Sequence, residues 1–307
     1  MVVYNNLIIM DVDKKHAFCI ICHNEPKLLL ALVTFLDDER NDIFLMVDKK
    51  TDISIYDGIK THRAGIYYAE RIDVRWGHIS LIKAEYSVFE CARKHGTYAR
   101  YHLLSGVDMP IKNQNYIHKF FDDNPTIECI GFAQGKQNAD DLKNKTIHYS
   151  FFVRHARSRW NLLRYVFGCL DRISICLQNI LGIKRSYPYE TFKKGAEWFS
   201  ITNDLVEYLL SKKEEVLKNF KFVSCSDEIY KQTLVWNSKF RSKVYAINDE
   251  YASCLRAIDW SRGTPYCWGQ GGDKSDVSIL RSSDAMFARK FSSENMWIVD
   301  EIRELYE

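Results

Sequence analysis

The run Ala17-Phe18-Cys19-Ile20-Ile21-Cys22 stops at His23-Asn24-Glu25-Pro26 and gives way to leucines at helical spacing over residues 27–36. A short apolar run, a turn and an amphipathic helix form the repeating unit of an α/β fold. A strand buried on both faces needs helices to cover it. The unit recurs. Residues 42–47 read as a second strand ending at Asp48-Lys49-Lys50. Residues 80–94 read as a helix with Ile82, Tyr86 and Phe89 on one face. Residues 101–104 read as a strand ending at Ser105-Gly106-Val107-Asp108-Met109-Pro110, and 115–121 as a further helix. This alternation predicts a mostly parallel sheet. Ligands bind beyond the carboxyl ends of such strands, which places His23, Asp48, Ser105 and Asp108 on one rim.

The second half continues less regularly. Residues 195–201 read as a strand, and 203–210 as a helix capped by Thr202 or Asn203. Residues 227–235 read as a helix. The spacing of Phe287 and Phe291 predicts a helical turn there, followed by a charged terminal helix. Residues 134–145 are polar and read as a loop. With 307 residues the chain fits one large domain or two small ones, and we read it as one over 1–307.

Between residues 143 and 185 basic residues accumulate, Arg154, Arg157, Arg159, Arg164, Arg172 and Lys184 among them, against the single acid Asp171. Residues 160–167 and 173–183 read as a helical pair, so residues 142–186 form a basic amphipathic insertion. Two readings stand side by side. One is contact with an anionic membrane surface; the other is a helical insertion packed on the domain with solvated arginines.

Composition excludes several classes. A net charge of +3 is too small to imply nucleic acid. Nine cysteines, odd in number and scattered, argue against a secreted disulfide framework. Cys19 and Cys22 have CxxC spacing, but they lie in a buried strand and no second pair completes a zinc site. No apolar run approaches the roughly 18 residues that span a bilayer. The short run at residues 7–10 is not a signal peptide. A reducing cytoplasm is the expected compartment.

Two motifs can carry chemistry. Glu228, in Ser226-Asp227-Glu228, is the candidate general base; the alternative is ordinary helix-start chemistry, in which an acid supports the first turn. Arg289-Lys290, framed by Phe287 and Phe291, can hold a phosphate; the alternative is a surface pair between two core phenylalanines. The segment from Arg256 to Arg262 adds cations and Trp260. Asp11-Val12-Asp13 has the DxD spacing of sugar transferases that hold a divalent ion. It precedes the first strand, however, and reads as a solvated turn. HExxH, P-loop and GxGxxG patterns are absent. Gly269-Gln270-Gly271-Gly272 reads as a flexible loop.

In this order the pieces resemble the core-2/I-branching N-acetylglucosaminyltransferase family, glycosyltransferase family 14, which includes protein xylosyltransferases. The matching stretches are residues 17–26, Phe-Leu-Met-Val-Asp-Lys-Lys at 44–50, Arg75-Trp76-Gly77-His78-Ile79-Ser80, and residues 103–110. They continue through residues 195–200, Ser226-Asp227-Glu228, Asp259-Trp260-Ser261 and Phe287-Ala288-Arg289-Lys290-Phe291. The resemblance implies a GT-A-like nucleotide-sugar fold and inverting transfer from a UDP-sugar to a glycan hydroxyl, without a metal or other cofactor. N-acetylglucosamine is the expected sugar and xylose the alternative. It implies Glu228 as catalytic base and Lys290, with Arg289 beside it, on the diphosphate. His23, Asp48, Trp76, Gly77, Ser105 and Asp108 fall on the donor side. Glu197, Trp198, Asp227 and Trp260 fall on the acceptor side.

The chain departs from the pattern at the second diphosphate cation, for which Arg262 is the substitute. It also shows neither the N-terminal anchor nor the lumenal disulfides of animal members, which resembles a bacterial cytoplasmic version. The basic insertion then suggests a lipid-linked acceptor at the inner membrane face, as in surface-polysaccharide assembly. A non-catalytic glycan- or membrane-binding protein on the same scaffold is the competing class.

Overall fold

The structure, a computed structural model, describes residues 15–155 and 160–304. Its strands, in chain order, are β1 (His16–Cys22), β2 (Asn41–Val47), β3 (Gly65–Tyr68), β4 (Arg100–Ser105), β5 (Asp108–Pro110), β6 (Phe199–Thr202), β7 (Arg256–Ile258) and β8 (Phe287–Arg289). Among the described residues β3-β2-β1-β4-β6 form a five-stranded sheet. Its first four strands are parallel and β6 runs antiparallel to β4. The expected mixed α/β fold with a mostly parallel central sheet is therefore the one observed. A smaller sheet, β5-β8-β7, lies beyond β4 in the chain.

Strand periodicity divides the core in two. Ala17, Cys19 and Ile21 of β1 and Phe44 and Met46 of β2 face one cluster, packed under Ile82, Tyr86 and Phe89 of the helix Ser80–His95. Phe18, Ile20 and Cys22 with Ile43, Leu45 and Val47 face the other. There they meet the helix Pro26–Phe35, the terminal helix Met296–Glu304 and Phe287 of the small sheet. Successive side chains of a strand point to opposite faces. A central strand buried on both faces is therefore apolar on both, which is why residues 17–22 of β1 and 43–47 of β2 are continuous apolar runs.

Three expectations are corrected here. Residues 287–291 are not helical: Phe287–Arg289 is the central strand of the small sheet, paired with β5 on one side and β7 on the other. The i, i+4 phenylalanines mimic a helical face, but both are buried from a strand and the turn after it. Residues 134–145 are not a loop: a helix spans Lys136–Ile147. It is polar nearly all round and carries the i, i+4 pair Asp141–Lys145 at 2.8 Å. The insertion is not a helical pair but one 20-residue helix, Asn161–Ile180, whose Gly168 sits in open space without breaking it.

Smaller differences shape the site. Of the expected strand 195–201 only residues 199–201 join the sheet, as part of Phe199–Thr202, while Gly195 N–H donates to the Glu228 carbonyl at 2.9 Å. The helix expected from 227 starts at Tyr230, after a 3₁₀ turn at Ser226–Glu228. The short strands β3, β5 and β7 escaped the periodicity reading. Thr202 caps its helix as expected, accepting from Leu205 N–H.

Candidate active site

The carboxyl ends of β1, β2 and β4 open on a cleft of about 390 Å³. His23 follows β1, Asp48 follows β2, and Ser105 closes β4; all three line the cleft. Roomier grooves, of about 550, 580 and 940 Å³, open elsewhere, but none of these is lined by Asp227, Glu228 or Arg289. The smaller cleft is the one that collects acids and a cation at strand ends, where α/β sheets bind ligands.

The Trp76-Gly77 and Ser226-Asp227-Glu228 segments meet at one wall. Gly77 adopts φ +67°, and its carbonyl accepts from Cys225 N–H at 2.8 Å. A Cβ on Gly77 would stand 3.3 Å from Cys225 Sγ, so both the turn and the close approach favour glycine. Cys225 is itself left-handed at φ 50°, which turns the chain sharply into the 3₁₀ turn. Glu228 is half-buried and lines the cleft, whereas Asp227 beside it is buried. Trp76 stands at the rim, 54% exposed.

Beneath Glu228 lies a group of acids around one ammonium. Lys231, fully buried, sits 3.0 Å from Glu85 Oε1 and donates to the Asp227 carbonyl at 2.6 Å. Tyr230 donates to Glu85 Oε2 at 2.6 Å. Burial raises the Glu85 carboxyl to about 7 against the pull of Lys231. Burial also raises Asp227 and Glu197, and the negative charge each presents to the other adds to Asp227's rise. Asp227 Oδ1 is buried with no hydrogen-bond partner, as suits a carboxyl that holds its proton. Glu197 is set deep among protein atoms, yet solvent reaches it through the cleft.

The same cleft carries a cation held by Asp108. Asp108 and Arg289 are directly opposed in the β5–β8 pairing. Arg289 Nη1 lies 2.7 Å from Asp108 Oδ1, bonds Ser105 Oγ, and stacks its guanidinium 4.6 Å over Trp198. Asp108 also accepts from the Ser105 N–H and hydroxyl at 2.8 Å. A half-buried guanidinium held on three sides still lines the cleft and can meet an anion there.

A profile of the family described as Core-2/I-Branching enzyme matches residues 16–280. The chain belongs to that family. It is accordingly a glycosyltransferase, with a nucleotide-sugar donor and a glycan acceptor. Among solved structures it is similar to mouse xyloside xylosyltransferase 1 in its apo form, at 9% identity and a TM-score of 0.37, over 92% of this chain and 99% of that one. No curated protein sequence matches.

Of the residues nominated from sequence in this glycosyltransferase, the cleft brings together His23, Asp48, Trp76, Gly77, Ser105, Glu197, Trp198, Asp227, Glu228 and Arg289. Asp108 lies behind them as the partner of Arg289. Three stand apart. Lys290, half-buried, is outside the lining, with its backbone paired to Tyr266 and Trp268 and its charge beside Cys267. Arg262 is engaged by Asp259 at 2.5 Å, Asp276 at 2.8 Å and Asp273 at 3.3 Å, and lies over Tyr266. Trp260 is 52% exposed and contacts Tyr251. Arg256, counted among the available cations, is buried: it donates to the carbonyls of Cys254, Phe199 and Leu103. Asp11-Val12-Asp13 lies outside the described residues.

Sequence reasoning missed Lys50, Lys231 and Glu85. Lys50 lines the cleft and is pinned by Asp48 at 2.7 Å and Asp73 at 3.0 Å. Its signal was in view, since it ends the strand-terminal Asp-Lys-Lys. Lys231 lies four residues after Asp227, the spacing at which side chains share a helical face. Nothing local marks Glu85, whose partner is far away in sequence. No cluster of three or more metal-ligating side chains forms among the described residues.

Proposed function

We propose that this glycosyltransferase moves a sugar, N-acetylglucosamine in the first instance, from a UDP-sugar to a glycan hydroxyl with inversion. The cleft's lining carries the reading: it holds both a half-buried Glu228 and a stacked, ion-paired Arg289. In a GT-A-like organisation the donor lies across the strand ends beside Asp48 and Ser105. Glu228 takes the proton of the acceptor hydroxyl as its oxygen bonds to the anomeric carbon. The bond from that carbon to the β-phosphate oxygen breaks, and its electron pair leaves on UDP. Arg289, which lines the cleft, stabilises the charge developing there. A single displacement turns an α-linked donor into a β-linked product.

A fixed guanidinium in this place does the work for which other transferases use a divalent ion, so the reaction is proposed to be metal-independent. The test is a screen of UDP-sugars for UDP release in EDTA, with and without glycan acceptors. Turnover of UDP-N-acetylglucosamine in EDTA supports the reading. Turnover of UDP-xylose alone replaces the donor. Activity lost in EDTA and restored by manganese sinks the metal-free mechanism.

A further inference from the structure

The helix Asn161–Ile180 is built inside out. A surface helix ordinarily turns its apolar stripe to the core and its polar face to water. Here Leu162, Val166, Leu170, Ile173, Leu177 and Ile180, spaced three or four apart on one face, are exposed, from 38% at Leu170 to 74% at Ile180. The face turned to the protein is mixed: Phe167 packs on Phe152 and stacks 4.6 Å from His155, and the rest of the contact is polar. Gln178, the buried residue of the helix, exchanges hydrogen bonds with the Tyr149 backbone at 2.8 and 2.9 Å, and with Ser174 at 3.2 Å. Asp171 accepts from the backbone of Phe151 and Phe152. The helix is thus anchored through Phe167 and a few polar groups, and presents most of its apolar side chains outward. Such an arrangement is stable where that side meets something other than water.

Charge identifies the occupant. Arg164 and Arg172 are exposed on the helix, Arg154 and Lys184 flank it, and the one acid between residues 143 and 185 is the inward Asp171. Pairing with a second copy through this face would set like charges together, because a two-fold interface opposes the same patch to itself. An anionic surface with an apolar interior complements both features, and Tyr165, 71% exposed, suits its boundary. The helix cannot cross a bilayer, since none among the described residues is long and apolar enough. The site adjoins the cleft: Arg154 lies 3.6 Å from Asp73, which holds the cleft-lining Lys50.

We propose that the helix Asn161–Ile180 docks in the plane of an anionic phospholipid surface and sets the mouth of the cleft beside it. This deepens the transferase reading, on which it rests for its consequence: a glycan acceptor carried on a lipid reaches Glu228 from the membrane side. The docking itself is a separate physical claim.

The full chain is sedimented with vesicles of phosphatidylcholine alone and of phosphatidylcholine mixed with phosphatidylglycerol, at low and high salt. UDP binding is measured by calorimetry on the same protein. Binding to the anionic vesicles that weakens with salt is expected. Leu170→Asp/Leu177→Asp is expected to abolish it with UDP binding retained. Arg164→Gln/Arg172→Gln is expected to weaken it about thirtyfold, the loss of two cations at a charged surface. Failure to sediment with either vesicle overturns the docking, as does equal binding to both. A solution dimer that Leu170→Asp/Leu177→Asp converts to monomer also overturns it, in favour of a second copy. UDP bound without vesicles sinks the docking alone; vesicles bound without UDP sinks the nucleotide reading alone.

Discussion

Asp108 and Arg289 face each other across an antiparallel strand pair, carboxylate to guanidinium at 2.7 Å. Two sequence motifs separated by most of the chain are therefore one structural unit. Asp108 is fully buried and fixes Arg289 so that its remaining face lines the cleft. Removing one partner of a buried pair leaves the other charge uncompensated. We expect Asp108→Ala to cost about 3 kcal/mol in urea unfolding. Arg289→Lys keeps the charge but loses the fork and the stack on Trp198. It should weaken UDP binding about tenfold, one charge-assisted contact's worth, read by calorimetry.

Glu228→Gln should lower transfer by about a hundredfold to ten-thousandfold, the range for a positioned general base. UDP affinity should be unchanged, since the base acts on the acceptor. Full activity in the variant would remove Glu228 from the mechanism.

The raised carboxyl of Asp227 gives a stability signature. Its folded pKa, raised to about 8 by burial and by Glu197 and Glu228, lies above its unfolded value. The folded state holds a proton that the unfolded chain releases. This group's contribution therefore falls as pH rises from the ordinary carboxylate range towards 8. Asp227→Asn should flatten the decline in unfolding free energy between pH 6.5 and 8, measured by urea titration. A slope equal to wild type would show Asp227 ionised throughout.

Histidine acts in the opposite direction. His118, hydrogen-bonded to Asn41 at 2.9 Å and stacked on His16, is lowered to about 4 by burial and by Arg40. The unfolded chain binds this proton below about pH 6.5, so stability is lost as pH falls from there towards 4. His118→Gln should recover about 2 kcal/mol of that acid loss, visible as a smaller difference between denaturation midpoints at pH 7 and pH 5.

The central sheet and its rim were legible in the sequence because both obey local rules. Residues 17–22 and 43–47 are apolar at every position, as a strand covered on both faces demands, and the turns after them place His23 and Asp48 at the strand ends. Family motifs carried Glu228 and Trp198 the same way. The small sheet was not legible. Three-residue strands carry no period, and Phe287 and Phe291 fit a helix as well as the strand that pairing with β5 and β7 imposes. Nor could the sequence rank the cations. Arg256, Arg262, Arg289 and Lys290 are equivalent as letters. Only tertiary contacts buried the first, tied the second to three acids, and turned Arg289 into the cleft. The charge of a residue is fixed by its type, but its availability depends on the partners that folding brings to it from distant parts of the chain.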